Sequence, residues 1–594
     1  MCGIVGLNFK PKVDISVLLD NLHNRGPDNR SSYCVNNNIF GHTRLSIIDL
    51  DKEANQPMVF DDIVLVFNGE IYNYKNLIND ENLFMKTSSD SEVIIRLYQK
   101  YGNGFLNKLN GAFAFCIYDI KKDLYFCARD RYGKKPLYFY FDSGNFVFSS
   151  LIQPIIKVLN KVPELNKIAL SQYLQFFTPL EDNTFYKGIK KLTPSSYIVL
   201  YKGQLEIKKY YKIKTKKTIF DNNIAIKRIE EILFNAIEAR LVGDVEVGSL
   251  LSGGVDSSLI SAMYSKMAPH AINTFSIGYD CYNKYSELPY AKTVASHIKS
   301  QHHEVILNRQ NFIDSFENIL KSMEEPHGDP SSIALDYLCS YINKQGIKTV
   351  LSGEGSDELF LGYSNYKKFY NFYQFKDSLT SFQKEFMQNN LSSSLAKENK
   401  ESEYIKRILN DEPIYNGFGE VFTYNQKKQL FKKAPTFKID KPKTDPIDWM
   451  SYIDIKIWLG NVLLSKVDKI AMDNSVETRN PFLDYNLVNL AFKIDNNLKM
   501  GNDTKYLLKQ IAKKYIPNQI VNRTKKGFNT PYNEWLHIEF KDKLLSTVLE
   551  ANAHHNLFDE VYIKYLYTQS TNNKLKQHFY LLYNFSIWYL KNYT

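Results

Sequence analysis

The sequence predicts a chain of mixed α/β and α+β class. An antiparallel β-sandwich flanked by helices comes first, and a doubly wound parallel α/β sheet with added helices follows. Three observations carry this. Short apolar runs separated by turn residues crowd the first 200 or so residues. From about residue 220, strand-like and helix-like segments alternate, which is the pattern of repeated βαβ units and a parallel sheet. From residue 363 onward the apolar spacing is mostly helical.

Taken in order, residues 62–67 form an apolar run that ends at Asn68-Gly69, a turn signal. Runs at 111–119, 123–128, 136–141 and 145–149 follow closely enough for antiparallel pairing, and 91–101 reads as a helix on one face. A last run, 196–201, precedes a polar, Lys-rich stretch in which the linker is placed, at 206–223. The expected domains are therefore 1–205 and 224–594. In the second, Ile226, Ile229, Leu233 and Ile237 recur at helical spacing. Strand 245–251, helix 258–266, strand 272–277, helix 287–298, strand 303–307, helix 312–323 and strand 349–351 continue the alternation. In such a sheet the ligand site lies outside the C-terminal ends of the strands.

Composition excludes several classes. The 75 Lys+Arg against 64 Asp+Glu leave +11, a thin excess with only short patches such as Lys214, Lys216 and Lys217, so no nucleic-acid partner is expected. No apolar run reaches the 18 or so residues of a membrane span; 111–118 and 579–590 are too short or interrupted. The first residues lack the basic and apolar regions of a signal peptide. Six scattered cysteines (Cys2, Cys34, Cys116, Cys127, Cys281, Cys339) form no C-x-x-C pair. The expectation is a soluble, cytoplasmic, multi-domain protein of a reducing compartment.

Cys2 is the first chemical signal. Removal of the initiator Met would make it an N-terminal nucleophile whose own α-amine, unperturbed pKa about 7.7–8.0, can act as general base. Behind it come Asn24-Arg25-Gly26-Pro27-Asp28, His42-Thr43-Arg44, Gln56-Pro57-Met58, Asn68-Gly69-Glu70, Ser89-Asp90-Ser91 and Arg129-Asp130-Arg131-Tyr132-Gly133. Singly each reads as a turn; in this order the first 200 residues resemble the N-terminal-nucleophile (class II) glutamine amidotransferase domain of glutamine-hydrolysing asparagine synthetases. The resemblance implies that Cys2 attacks the glutamine carboxamide and that Asn68 and Gly69 form the oxyanion hole. It further implies that Arg44 clamps the substrate carboxylate and that Glu70 and Asp90 hold its amine. A guanidinium suits a carboxylate, and paired carboxylates suit an ammonium.

The second signal is Leu250-Leu251-Ser252-Gly253-Gly254-Val255-Asp256-Ser257, where a strand opens through a Gly-rich loop into a helix and presents N–H groups to an anion. No G-x-x-x-x-G-K-[ST] occurs; the segment resembles the loop of the PP-loop ATP pyrophosphatases instead. The third is Ser352-Gly353-Glu354-Gly355-Ser356-Asp357-Glu358, again at a strand end. By resemblance, Leu250, Ile277, Ser352 and Gly353 approach the adenylate, Glu354 takes a proton from attacking ammonia, and Asp256 and Asp357 are Mg²⁺ ligands. Two further matches are Ser465-Lys466-Val467-Asp468-Lys469 with Glu477-Thr478-Arg479-Asn480-Pro481, read as a helix and turn, and Arg523-Thr524-Lys525-Lys526-Gly527-Phe528. In the latter Lys525 would stabilise charge on leaving pyrophosphate. His302 and His303 are adjacent on a strand and so face opposite ways, which argues against a shared metal.

The implied enzyme is an ATP-dependent ligase with an Ntn-type first domain. It hydrolyses glutamine at one site and passes ammonia through an internal tunnel. At a second site it amidates aspartate, activated by MgATP as an acyl-adenylate. Members of the family are often dimeric, and no interface is legible here. Asn24, Leu361 and residues 148–151 depart from the family's usual residues (His, Gly and an acidic residue respectively), and Leu361 with 325–329 flanks the expected acceptor pocket. That leaves two alternatives: the same chemistry on another carboxylate such as a uronic acid of a surface polysaccharide, or a catalytically silent scaffold.

Overall fold

The computed structural model describes residues 2–280, 285–391, 399–437, 439, 444–525, 527 and 530–594, so Cys281, Lys526 and Phe528 lie outside the described residues. Two six-stranded sheets build the first domain. One runs Lys190–Lys191, Tyr138–Asp142, Asn145–Ser149, Cys2–Leu7, Asn38–Arg44, Asn29–Val35; the other runs Gln204–Lys209, Ser196–Tyr201, Leu124–Arg129, Gly111–Asp119, Ile63–Ile71, Met58–Phe60. All their pairings are antiparallel. Cys2–Leu7 is buried at every position because it is a central strand, paired on both sides, in a sheet that also packs face to face. Ile4, Phe40, Val64, Val66, Phe139 and Phe148 fill the layer between sheets. The helix Asp90–Tyr101 covers the outer face of the second sheet through Val93, Ile94 and Leu97, capped by the Ser89 hydroxyl.

The Gln204–Lys209 strand corrects the expected linker at its start. Lys202 (φ 50°) and Gly203 (φ 72°) make a tight hairpin that folds 204–209 back on Ser196–Tyr201. Its lysines read as linker because it is an exposed edge strand, where charge blocks further pairing.

The second domain holds a five-stranded, wholly parallel sheet ordered Gln301–Leu307, Asn273–Tyr279, Val247–Leu250, Thr349–Leu351, Glu477–Arg479. Chain order reverses at Val247–Leu250, so the loops after Leu250 and Leu351 leave adjacent strand ends side by side. That crevice is where such sheets bind ligands. The edge strand Glu477–Arg479 was expected as a turn. Its three residues, Glu, Thr and Arg, carry no apolar alternation, yet all are buried: Arg479 pairs with Glu477 in the same strand and with Glu70 across the domain boundary.

That boundary is polar and specific. Arg25 donates to Asp468 (3.0 Å) and to the Cys2 carbonyl (3.2 Å), and Asn110 donates to Asp484 (2.8 Å). Asn24, where the family usually has His, donates to Asp473 (2.8 Å). No helix among the described residues is long and apolar enough to cross a membrane.

Candidate functional site

Two centres form, one in each domain. In the first, Cys2, Arg44, Gly69, Glu70 and Asp90 line one pocket together with Gln56. The Cys2 N–H donates to Asn68 Oδ1 (3.2 Å), and the buried Asn68 Nδ2 has no partner, so the amide bonded to Cys2 keeps a free donor. Ser150, in the segment lacking the family's acidic residue, accepts the Ile4 N–H (3.1 Å) and so pins the nucleophile's strand. Gly69 has φ 151°, and a Cβ there would lie 2.1 Å from the Ala112 carbonyl oxygen, so only glycine fits behind Asn68. Burial pushes the Cys2 thiol up, against the amino-terminal charge. The resting group is therefore the thiol, and its activation needs a base.

Arg44 is more constrained than a simple clamp. Its guanidinium donates to Asp51 O (2.9 Å) and Asn55 Oδ1 (2.7 Å) and also to the Asp49 carbonyl, so it braces the 48–55 loop that walls the pocket. The two acidic residues sit in different settings. Burial lifts Asp90 to about 7, although its Oδ2 accepts the Ile71 N–H (2.8 Å). Burial also raises Glu70 well above the usual carboxylate range, against the pull of Arg479. Arg479 comes from the other domain: its guanidinium bonds Glu70 and, at 3.0 Å, Glu477. Glu477 lies below its ordinary range because the positive charges around it, Lys135 and Arg479 among them, outweigh burial. Glu70 Oε2 is left without a partner.

The second centre lies at the crevice of the parallel sheet. After Leu250, Ser252, Gly253 and Gly254 lead into the helix Val255–Met267. The loop is tied to itself: Ser257 Oγ accepts the Ser252 N–H (3.1 Å), and Ser252 Oγ accepts the Gly254 N–H (3.3 Å). Gly353 packs against this loop so closely that a Cβ would lie 3.3 Å from that of Asp256, and Ser356 donates to Asp256 (2.6 Å). Ile277, on the neighbouring strand, is buried, and Leu250 is half-buried. Glu354 Oε2 accepts from the Ser352 hydroxyl and from Asn480 Nδ2 (3.0 Å).

Lys505, which carries no sequence signal, is the hub of this centre. It is buried, has φ 56°, and pairs with Asp256 and, at 2.6 Å, with Asp357. Burial would raise Asp357, but Lys505 and Lys525 hold it below the ordinary value. Lys525 meets Asp357 and lies over the Tyr363 ring, 4.6 Å from its centroid. Burial and the neighbouring Lys505 push Lys525 down. Arg523, two residues earlier, donates to the Gly253 carbonyl (3.0 Å), pairs with Glu287 and stacks 3.9 Å over Tyr290, so the segment bearing Lys525 is tied to the Gly-rich loop.

Mg²⁺ favours one or two carboxylates plus phosphate oxygens. Asp256 and Asp357, bridged by one lysine, fit that requirement. No group of three His, Cys, Asp or Glu among the described residues could hold a metal by itself. His302 and His303 bond Thr274 (2.9 Å) and Asn273 (2.8 Å) separately.

The residues that flank the expected acceptor pocket have structural roles. Leu361 adopts a left-handed φ of 55°, which explains a glycine at this position, and its side chain is buried with Phe176 and Tyr363. Asp329 pairs with Lys466 (2.7 Å), and Glu325 accepts the Phe185 N–H (2.6 Å).

Known proteins match both halves. The asparagine synthase family model matches residues 228–590, and the glutamine amidotransferase domain model matches 1–211. Asparagine synthetase [glutamine-hydrolyzing] 1 of Bacillus subtilis is 30% identical over 579 residues, covering 93% of this chain and 90% of its own length. Asparagine synthetase [glutamine-hydrolyzing] 3 of the same organism is 27% identical, covering 93% and 92%. Amidase chyE of Penicillium rubens is 27% identical, covering 90% and 87%.

Proposed function

The chain belongs to the glutamine-hydrolysing asparagine synthetases, and we propose that its two centres act in series to make asparagine. The observation that carries this is the separation of two complete sets of groups: a thiol with a free amide donor and two carboxylates in one domain, and a Gly-rich anion loop with acids and lysines in the other.

At the first centre the Cys2 sulfur attacks the glutamine carboxamide carbon. Asn68 Nδ2 and the Gly69 N–H stabilise the oxyanion, each donor supplying about 2.7–4 kcal/mol. Ammonia leaves with the proton that the Cys2 α-amine took from the thiol, and water hydrolyses the thioester to glutamate, restoring the thiol. At the second centre the aspartate side-chain carboxylate attacks the α-phosphorus of MgATP, and pyrophosphate leaves. The Ser252, Gly253, Gly254 and Ser257 loop cradles the phosphates. Asp256 and Asp357 are the residues that would hold the Mg²⁺ of the nucleotide. Lys505 and Lys525 are then free to pair with phosphate oxygens as negative charge builds on the leaving group. Ammonia, carried between the centres through the interior, attacks the acyl-adenylate; Glu354 takes its proton and AMP departs. A cytoplasmic location agrees with a working thiol and with ATP as substrate. Aspartate-dependent pyrophosphate release, matched by asparagine when glutamine is supplied, is the expected assay result. Release that needs a sugar acid and ignores aspartate would overturn the acceptor assignment. A silent scaffold would leave the groups of both centres without a use.

Two further outcomes follow from the geometry. The glutamine ammonium needs Asp90 and Glu70 ionised, and burial has lifted both, Asp90 to about 7. A raised carboxyl is protonated below its pKa, so the glutamine KM should climb as pH falls below about 7, approaching about tenfold per unit through Asp90 alone. Glutaminase assays from about pH 5.5 to 8 read this; a flat KM would remove these carboxylates from the amine site. Gly253→Ala should abolish ATP–pyrophosphate exchange while glutaminase activity persists. Its φ is 71°, and the added Cβ would lie 2.5 Å from the Ala291 nitrogen. Left-handed strain alone costs about 1–2 kcal/mol.

A further inference from the structure

We infer that Asn480 is a positioning residue for Glu354, holding one carboxylate oxygen so that the other can accept the ammonia proton. The inference rests on the reading of Glu354 as that acceptor. Asn480 is buried and stands at the C-terminal end of the Glu477–Arg479 strand, outside every loop the nucleotide reading uses. Its backbone is held on both sides. The carbonyl of Arg479 accepts the Ser352 N–H (2.9 Å), the Asn480 carbonyl accepts the Leu483 N–H (3.1 Å), and Pro481 follows directly. Its side chain therefore starts from a fixed point.

The amide reaches Glu354 Oε2 at 3.0 Å, and the Ser352 hydroxyl reaches the same oxygen. A carboxylate only accepts, so the group facing it is the NH₂. Both donors fall on Oε2, and among the described residues Oε1 has none. Two donors on one oxygen lock the carboxylate plane and leave the lone pairs of Oε1 for the incoming proton. Misplacing such a base by a fraction of an ångström is costly, because proton transfer must coincide with nitrogen attack. The neighbouring Arg479 side chain meanwhile contacts Glu70 in the glutamine pocket, so two consecutive residues touch the two centres.

Asn480→Ala should lower kcat for asparagine formation by about 10- to 100-fold, the range for a hydrogen bond to a charged group. The loss should be equal with glutamine and with free ammonia. ATP–pyrophosphate exchange and the KM for ATP should stay unchanged, because adenylation precedes the proton transfer. Asn480→Asp, which keeps the volume but sets a second carboxylate against Glu354, should lose more than the alanine variant. A change in kcat within about twofold for both variants, or an equal fall in exchange and in amide formation, would overturn the inference. Glu354→Gln separates the two levels: if it leaves amide formation intact, the reading of Glu354 itself fails. If it stops amide formation while Asn480→Ala does not, only the positioning role fails.

Discussion

Replacing Cys2 by alanine should abolish asparagine synthesis from glutamine by about four orders of magnitude or more, the scale on which covalent catalysis collapses when its nucleophile is removed. The same variant should make asparagine from free ammonia at an undiminished rate. The asymmetry follows from where the groups sit. Cys2 opens a central strand of the antiparallel sandwich, and its N–H donates to Asn68, on a strand of the facing sheet. Glu354, Lys505 and Lys525 belong to the parallel sheet and its loops. Alanine at position 2 removes a sulfur and leaves the strand's pairing with Asn38–Arg44 unchanged, so the domain contacts made through Arg25 persist. Burial keeps the thiol protonated at rest, so serine, with a far less acidic hydroxyl, should be nearly as inactive as alanine. Parallel assays with glutamine and with an ammonium salt decide it. Loss of both activities would mean the centres are not separable, and retention of glutamine use would remove Cys2 from the chemistry.

What the sequence disclosed and what it hid divide along a physical line. The fold class was legible because period-2 and helical patterns switch near residue 220, and the Gly-rich turns fall at the ends of apolar strands. The first centre was legible because its groups sit in short contiguous motifs. The segments that escaped are those whose burial rests on charge pairing. Glu477–Arg479 looks like a surface turn until Glu70 supplies its partner from another domain. Lys505 looks like any helix-leading lysine until Asp256 and Asp357 close on it. The ten-residue π-helix Asp454–Leu463 left no periodic trace. It is held by Asp454, which accepts from Tyr366 and Tyr415 hydroxyls (2.6 Å each), and it carries Trp458, which donates to Tyr363 under Lys525 (3.0 Å). Arg44 shows the converse: its motif was plain, but three of its four ties to the 48–55 loop go to backbone oxygens that no motif records, the fourth to the Asn55 side chain.

Arg479→Met should be the most destabilising single change at the domain boundary, by about 3–5 kcal/mol, because it takes the guanidinium from buried Glu70 and removes one of the positive charges, beside Lys135, that hold buried Glu477. The native arginine is wholly buried and bonded at all three nitrogens: Nη2 and Nε serve Glu70 and Glu477, and Nη1 serves the Arg240 carbonyl and, at 2.7 Å, that of Val242. Methionine fills much of the volume and supplies none of these bonds, so packing alone cannot account for the loss. The sign of the pH dependence tests the cause. With the guanidinium gone, both acids bind protons more readily in the folded variant than in the folded parent, so the variant's deficit should shrink as pH falls from about 8 toward 5. A deficit caused by lost packing would not move. Adding Glu477→Gln to the Arg479→Met variant should recover part of the stability by removing one stranded charge, whereas additive losses would mean the acids never depended on Arg479. Thermal unfolding of the parent, the two single variants and the double variant across that pH range supplies the comparison. On the proposed reading of Glu70 as a ligand of the substrate amine, the glutamine KM should worsen alongside, since one Glu70 oxygen meets Arg479 and the other lines the pocket without a partner.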